Sequence, residues 1–177
     1  MKRITALFSM VFLVLACQAA ELGAKERDLA RILQSMHFAD LMRSVLQLGV
    51  DRNPQSPDAA RLPNVIAMSD NQIISAAVPP LFDVFTPEEA RQVADFWASD
   101  TIAAMTKLQI AGDPAPLEKL TPQQREDFMR FTRSAGGAAS QRMAALLREQ
   151  KFLEEVVGNL IGASEANRIF GQKPKNR

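Results

Sequence analysis

Three observations predict an all-α fold, a small bundle of about five amphipathic helices. Apolar residues recur every three or four positions along most of the chain. Period-two alternation is absent, tyrosine is missing and β-branched residues are scattered, so no strand is expected. Thr-Pro pairs with Glu or Gln three residues after the threonine mark helix starts. The 177 residues, 47% apolar and 23% charged, suit one helical domain over 20–170.

The chain opens with a predicted signal peptide over residues 1–19. Lys2 and Arg3 precede an apolar run from Ile4 to Ala16, and small residues follow, the tripartite form of a secretory leader. The run is shorter than the roughly 20 apolar residues a membrane span needs. Cys17, the single cysteine, admits two readings. Cleavage after Ala19 discards it and releases the protein to the periplasm or the medium. Alternatively, Val14-Leu15-Ala16-Cys17 resembles a lipoprotein box, and Cys17 is the lipidated first residue of a membrane-anchored chain. Membrane contact is expected only in that second case. Neither reading leaves a disulfide, so stability rests on helix packing.

From Lys25 to Leu48, the positions Leu29, Ile32, Leu33, Met36, Leu41, Val45 and Leu48 form one apolar stripe and predict a single helix, with Gly49 as its stop. Residues 51–63 hold three prolines among mostly polar residues and read as a loop. A second helix is expected from Ser69 or Asp70, carrying Ile73, Ile74, Ala77 and Val78, with a kink or short new turn at Pro79-Pro80. Thr86-Pro87-Glu88-Glu89 opens a third, with Val93, Phe96, Trp97, Ala104 and Leu108 as its buried stripe, ended by Gly112-Asp113-Pro114. Thr121-Pro122-Gln123-Gln124 opens a fourth, with Phe128, Phe131, Ala135, Ala138 and Leu146 inward and a bend at Gly136-Gly137. Leu147, Phe152, Val156, Val157, Leu160 and Ile161 mark the last helix. A disordered basic tail is expected at 171–177.

Sliding the sequence by 35 residues places Thr86-Pro87 on Thr121-Pro122, Phe96 on Phe131 and Ser99 on Ser134. Two copies fall short of a repeat array. The match reads as a duplicated capped helix, with chance similarity between two amphipathic helices as the alternative.

The stretch VPPLFDVFTPEEARQVADFWAS resembles the bacterial family catalogued as domain of unknown function 2059, clearly over Val78 to Ser99 and more faintly across the mature chain. In that family a proline-containing helix leads to F-T-x-x-E and then to an aromatic-x-x-Ser-Pro-x-Gly signature. Phe85, Thr86, Glu89, Phe96 and Ser99 match, and Trp97 stands at the second aromatic position. Asp100 and Ile102 depart from the proline and glycine, while Ser134 and Gly137 recover the Ser-to-Gly separation in the second copy. The resemblance implies an exported helical protein and brings no assigned reaction.

Charge and chemistry exclude more than they assign. Removing Lys2 and Arg3 from 21 basic residues leaves 19 against 20 acidic ones, which argues against nucleic-acid binding. His37 is the single histidine, so zinc sites and Ser-His or Cys-His catalysis lack parts, and a packed or half-exposed His37 is expected. Glu88-Glu89 and Glu154-Glu155 are adjacent pairs that diverge on a helix. Calcium-loop and phosphate-cradle motifs are absent. Gly136-Gly137 reads as a close helix approach. No cofactor, metal or catalytic residue is expected, and enzyme activity is not.

The phenylalanines, Trp97 and the methionines, including Met42, Met68, Met105, Met129 and Met143, read first as core. The functional expectation is a non-catalytic interaction module of the cell envelope or periplasm that binds a protein partner through an apolar helical face. A carrier of a lipid or other apolar ligand between helices is the alternative. An exposed apolar strip of about 300–600 Å² favours the first, and an enclosed apolar cavity of about 300 Å³ or more favours the second.

Overall fold

The computed structural model describes residues 23–55 and 59–170. The predicted leader, Cys17 and the basic tail lie outside the described residues. Among the described residues the fold is all-α, without strands: α1 (23–35), α2 (Phe38–Arg52), α3 (Leu62–Ile66), α4 (Asp70–Ala77), a 3₁₀ turn (Pro79–Val84), α5 (Pro87–Trp97), α6 (Asp100–Ile110), a second 3₁₀ turn (Pro116–Lys119), α7 (Pro122–Thr132), α8 (Ala135–Leu146) and α9 (Gln150–Phe170). No described helix is long and apolar enough to cross a membrane.

The expectation of about five long helices is corrected to nine shorter α-helices among the described residues, because predicted helices break at points that carry their own caps or turns. The first of them divides at Met36-His37, where His37 adopts a left-handed conformation (φ 52°). α2 restarts there with its own phase and runs past Gly49 to Arg52. It buries Phe38, Ala39, Met42 and Leu46, whereas Leu41, Val45 and Leu48, expected in the core, are exposed. α3 begins in the last two residues of the segment expected to be a loop, Leu62 and Pro63, and runs on to Ile66. α4 starts at the expected Ser69 cap, where Ser69 and Gln72 form a reciprocal capping box. Pro79-Pro80 produces the short turn expected of it, and Leu81 within that turn is fully buried.

The chain forms two compact units. One holds residues 23–31 and Phe85–Ala139. Its buried apolar residues are Leu29, Phe85, Ala90, Val93, Ala94, Leu120 and Ala139. Arg31 bridges Asp28 of α1 and Asp95 of α5 at 3.0 and 3.2 Å, which holds these helices together. Phe96, Trp97, Phe128 and Phe131 are half-buried, where full burial was expected.

The 35-residue repeat reappears in this unit as matching geometry. α5 and α7 each have 11 residues and a Thr-Pro capping box, Thr86 with Glu89 and Thr121 with Gln124. Each helix ends in a turn closed by a backbone hydrogen bond, Ser99 N–H to the Phe96 carbonyl (3.0 Å) and Ser134 N–H to the Phe131 carbonyl (2.9 Å). α6 and α8 then begin one residue later. Phe96 and Phe131, the residues that the repeat superimposes, stack on each other at 3.7 Å and 8°.

The restart at Ser134 rotates α8. Ala135 and Ala138, expected inward, are exposed, while Gly136, Gly137, Ala139 and Met143 are buried. The expected close approach at the glycines is present: Gly136 N–H donates to Gln92 Oε1 of α5 at 3.0 Å.

The second unit holds residues 32–84 and those from Ser140 through α9. Its core includes Ile32, Leu33, Met42, Val65, Ile73, Leu81, Met143, Val156 and Leu160, with Phe38 packing edge-to-face on Phe152 (6.5 Å, 74°). Asn159 of α9 donates to the Ala76 carbonyl at the end of α4 (3.0 Å), and Arg142 of α8 donates to the Val84 carbonyl (2.9 Å).

Candidate functional site: an exposed apolar stripe on α2

The residues that the sequence singled out have local structural work. Phe85 is buried. Thr86 Oγ1 accepts from Glu89 N–H, and Glu89 accepts in return from Thr86 N–H. Ser99 Oγ accepts from Ile102 N–H at 3.5 Å, and Ser134 Oγ from Gly137 N–H at 3.1 Å. The closer second contact goes with glycine. A Cβ on Gly137 would lie 2.3 Å from the Phe131 carbonyl oxygen. These residues thus act as pairs of caps, turns and ring stacks. The structure does not bring them to one cleft. Trp97 closes α5 half-buried.

His37, expected to be packed or half-exposed, is corrected: its side chain is 80% exposed, and its role is the left-handed junction between α1 and α2. Its Nδ1 approaches the Asp40 carboxylate at 3.9 Å. Among the described residues, no group of three or more His, Cys, Asp or Glu is placed to hold a metal ion.

An open groove of about 610 Å³ runs between α4 and α9. Asn71, Gln72, Ser75, Glu155 and Asn159 line it beside Met68 and Pro79. This groove is open and of mixed polar and apolar lining, and is not an enclosed apolar cavity.

Large apolar side chains exposed among the described residues are Ile110 on α6, Leu117 in the second 3₁₀ turn, Met129 on α7, which was expected in the core, and three that share α2. Leu41, Val45 and Leu48 are 56%, 42% and 49% exposed. Their spacing of four and then three residues sets them in line along one side of the helix. Apolar periodicity continued across His37 points these three residues inward; the left-handed break at His37 turns them outward.

The stripe stands on a fixed support. Arg43 Nη2 donates to the Met68 carbonyl (2.9 Å) and to Asp70, Nε donates to the Ile66 carbonyl (3.3 Å), and Nη1 donates to Asp40 (3.1 Å). The hydrogen bond to Asp70 raises the Arg43 pKa above its ordinary value. On the polar side of α2, Gln47 donates to Asp51 at 2.9 Å, and exposed Arg52 ends the helix.

No family model matches this chain, and no curated protein or solved structure matches it either.

Proposed function

We propose that this chain is an exported, non-catalytic module that binds another protein through the α2 stripe, in the periplasm or outside the cell, or at the membrane if Cys17 is lipidated. The exposure of Leu41, Val45 and Leu48 on a helix whose other side is anchored in the core carries the reading. Large apolar side chains in line on a rigid helix supply the anchors of helix recognition. The leader and the likeness to domain of unknown function 2059 support export.

The test is mass spectrometry of the protein expressed with its own leader in a bacterium and gently extracted from the envelope, beside Leu41→Ser and Val45→Ser. Both substitutions should leave stability within about 0.5 kcal/mol, since the side chains are exposed. A native complex with another protein that both variants lose is the expected result. A native mass with no protein partner contradicts the reading. An extra few hundred daltons that leaves on denaturation would point to a carrier instead. The denaturing mass separates a chain starting at Ala20 from one starting at an acylated Cys17.

A further inference from the structure

We propose that the α1–α2 junction is a hinge through which two copies of this chain exchange α1. With His37 in the right-handed region, α1 and α2 become one helix over residues 23–52, about 45 Å long, and the α1 of each copy takes the place of α1 in the other. The inference goes beyond the α2 docking face and does not depend on it.

The junction is short and strained. Met36 and His37 alone separate α1 from α2. His37 is the one non-glycine residue with a positive φ among the described residues, and any residue with a Cβ disfavours that conformation. No glycine or proline between Lys25 and Leu48 forbids a continuous helix. α2 also starts without a side-chain cap, whereas Ser69, Thr86, Ser99 and Thr121 cap α4, α5, α6 and α7. A continuous helix would give the amides of Phe38, Ala39 and Asp40 the carbonyls of Gln34, Ser35 and Met36 as partners. At each of these points local forces favour the straight form.

What keeps the chain bent is where α1 must lie. Leu29, Ile32 and Leu33 are fully buried, and Arg31 reaches Asp95 of α5 at 3.2 Å. Residues 23–31 belong to the first unit and α2 to the second, so α2 can keep its own core while α1 leaves. Straightening in a lone copy would bare all three apolar side chains, which opposes it. Exchange removes that cost: the three bury in the second copy, Arg31 meets the second copy's Asp95, and neither hinge is left-handed. A short hinge under strain invites this kind of exchange.

The test refolds the full protein at high concentration under reducing conditions, so that Cys17 forms no disulfide. Unlabelled and heavy-isotope-labelled copies are mixed, each with a photo-cross-linking amino acid in place of Arg31, and the unaltered protein is refolded beside them. Light scattering should show a dimer, and its adducts between α1 and the α5 peptide around Asp95 should join light chains to heavy ones. His37→Gly accepts the bend and should lower the dimer association constant about tenfold or more. His37→Ala favours the straight helix and should raise it several-fold, whereas Leu41→Ser should leave it unchanged. The inference is overturned by a protein that stays monomeric with either histidine or alanine at 37, or by a dimer whose adducts all join peptides of one copy. Equal dimerisation of the glycine and alanine variants overturns it too, as does a dimer that Leu41→Ser dissolves.

Discussion

Gly137 and Gly158 both sit in helices, yet their surroundings demand opposite things. A Cβ on Gly137 would collide with the carbonyl oxygens of Phe131 and Thr132, at 2.3 and 2.8 Å, and neither can swing aside as a side chain could. Gly158 on α9 has nothing within 4 Å of the same position. Gly137→Ala should therefore destabilise the protein by about 2–4 kcal/mol. Gly158→Ala should stabilise it by about 0.5–1 kcal/mol through helix propensity. Urea unfolding followed by circular dichroism reads both signs, and a neutral Gly137→Ala would contradict the tight turn.

His37 is a second residue whose backbone decides its energetics. A left-handed L-residue costs about 1–2 kcal/mol, partly offset in a Gly variant by the larger entropy of the unfolded chain. His37→Gly should raise the urea midpoint modestly, and His37→Val should lower it. Nothing in the sequence signals this junction, because the stop is neither glycine nor proline and histidine merely tolerates the conformation. That single residue resets the phase of α2 relative to α1.

At the scale of elements, starts were more legible than ends. Ser69, Thr86 and Thr121 each cap the helix predicted for them, since a hydroxyl that accepts from an amide three residues on is a local interaction. The breaks before α6 and α8 are also local in origin. Ser99 and Ser134 were visible as motif positions, but continuous apolar spacing across them concealed their role as caps. If the two copies share one design, Thr86→Ala and Thr121→Ala should each cost about 1 kcal/mol, measured by thermal or urea unfolding. A cost at one site and none at the other would set the copies apart.

The turn after α6 adds a pH dependence. Gly112 takes the left-handed conformation (φ 74°), and Asp113 follows it with Lys119 Nζ and the Ala115 N–H on its carboxylate. The Lys119 hydrogen bond, then the Ala115 amide, hold the Asp113 pKa below the usual carboxylate range. The folded protein thus binds this proton more weakly than the unfolded chain. The resulting stabilisation is complete above the ordinary carboxylate pKa of about 3.9 and is lost as pH falls below it through the lowered folded value. Thermal midpoints between about pH 5 and pH 2 should fall less steeply in Asp113→Asn than in the unaltered protein.

For the whole molecule, the all-α class followed from composition and periodicity, which average over many residues and survive local errors of phase. The division into two units did not, because it depends on which helices meet, and α1 and α8 each contribute residues to both. The candidate site was legible in its ingredients alone. Leu41, Val45 and Leu48 were identified as one apolar helical line, but whether such a line faces inward is decided by tertiary packing. Arg43 shows what made that decision: by binding α2 to the end of α3 and the start of α4, it helps fix which side of α2 is covered.

The central claim is that this bare line is where another protein binds. The most direct measurement places a photo-cross-linking amino acid at Val45, and in a control at Gln47 on the polar side of α2, in the full-length protein expressed in a bacterium. A discrete adduct with another protein from position 45, absent from position 47 and lost when Leu41 is changed to serine, is the predicted result. Identical faint adducts from both positions, or none from either, would contradict it.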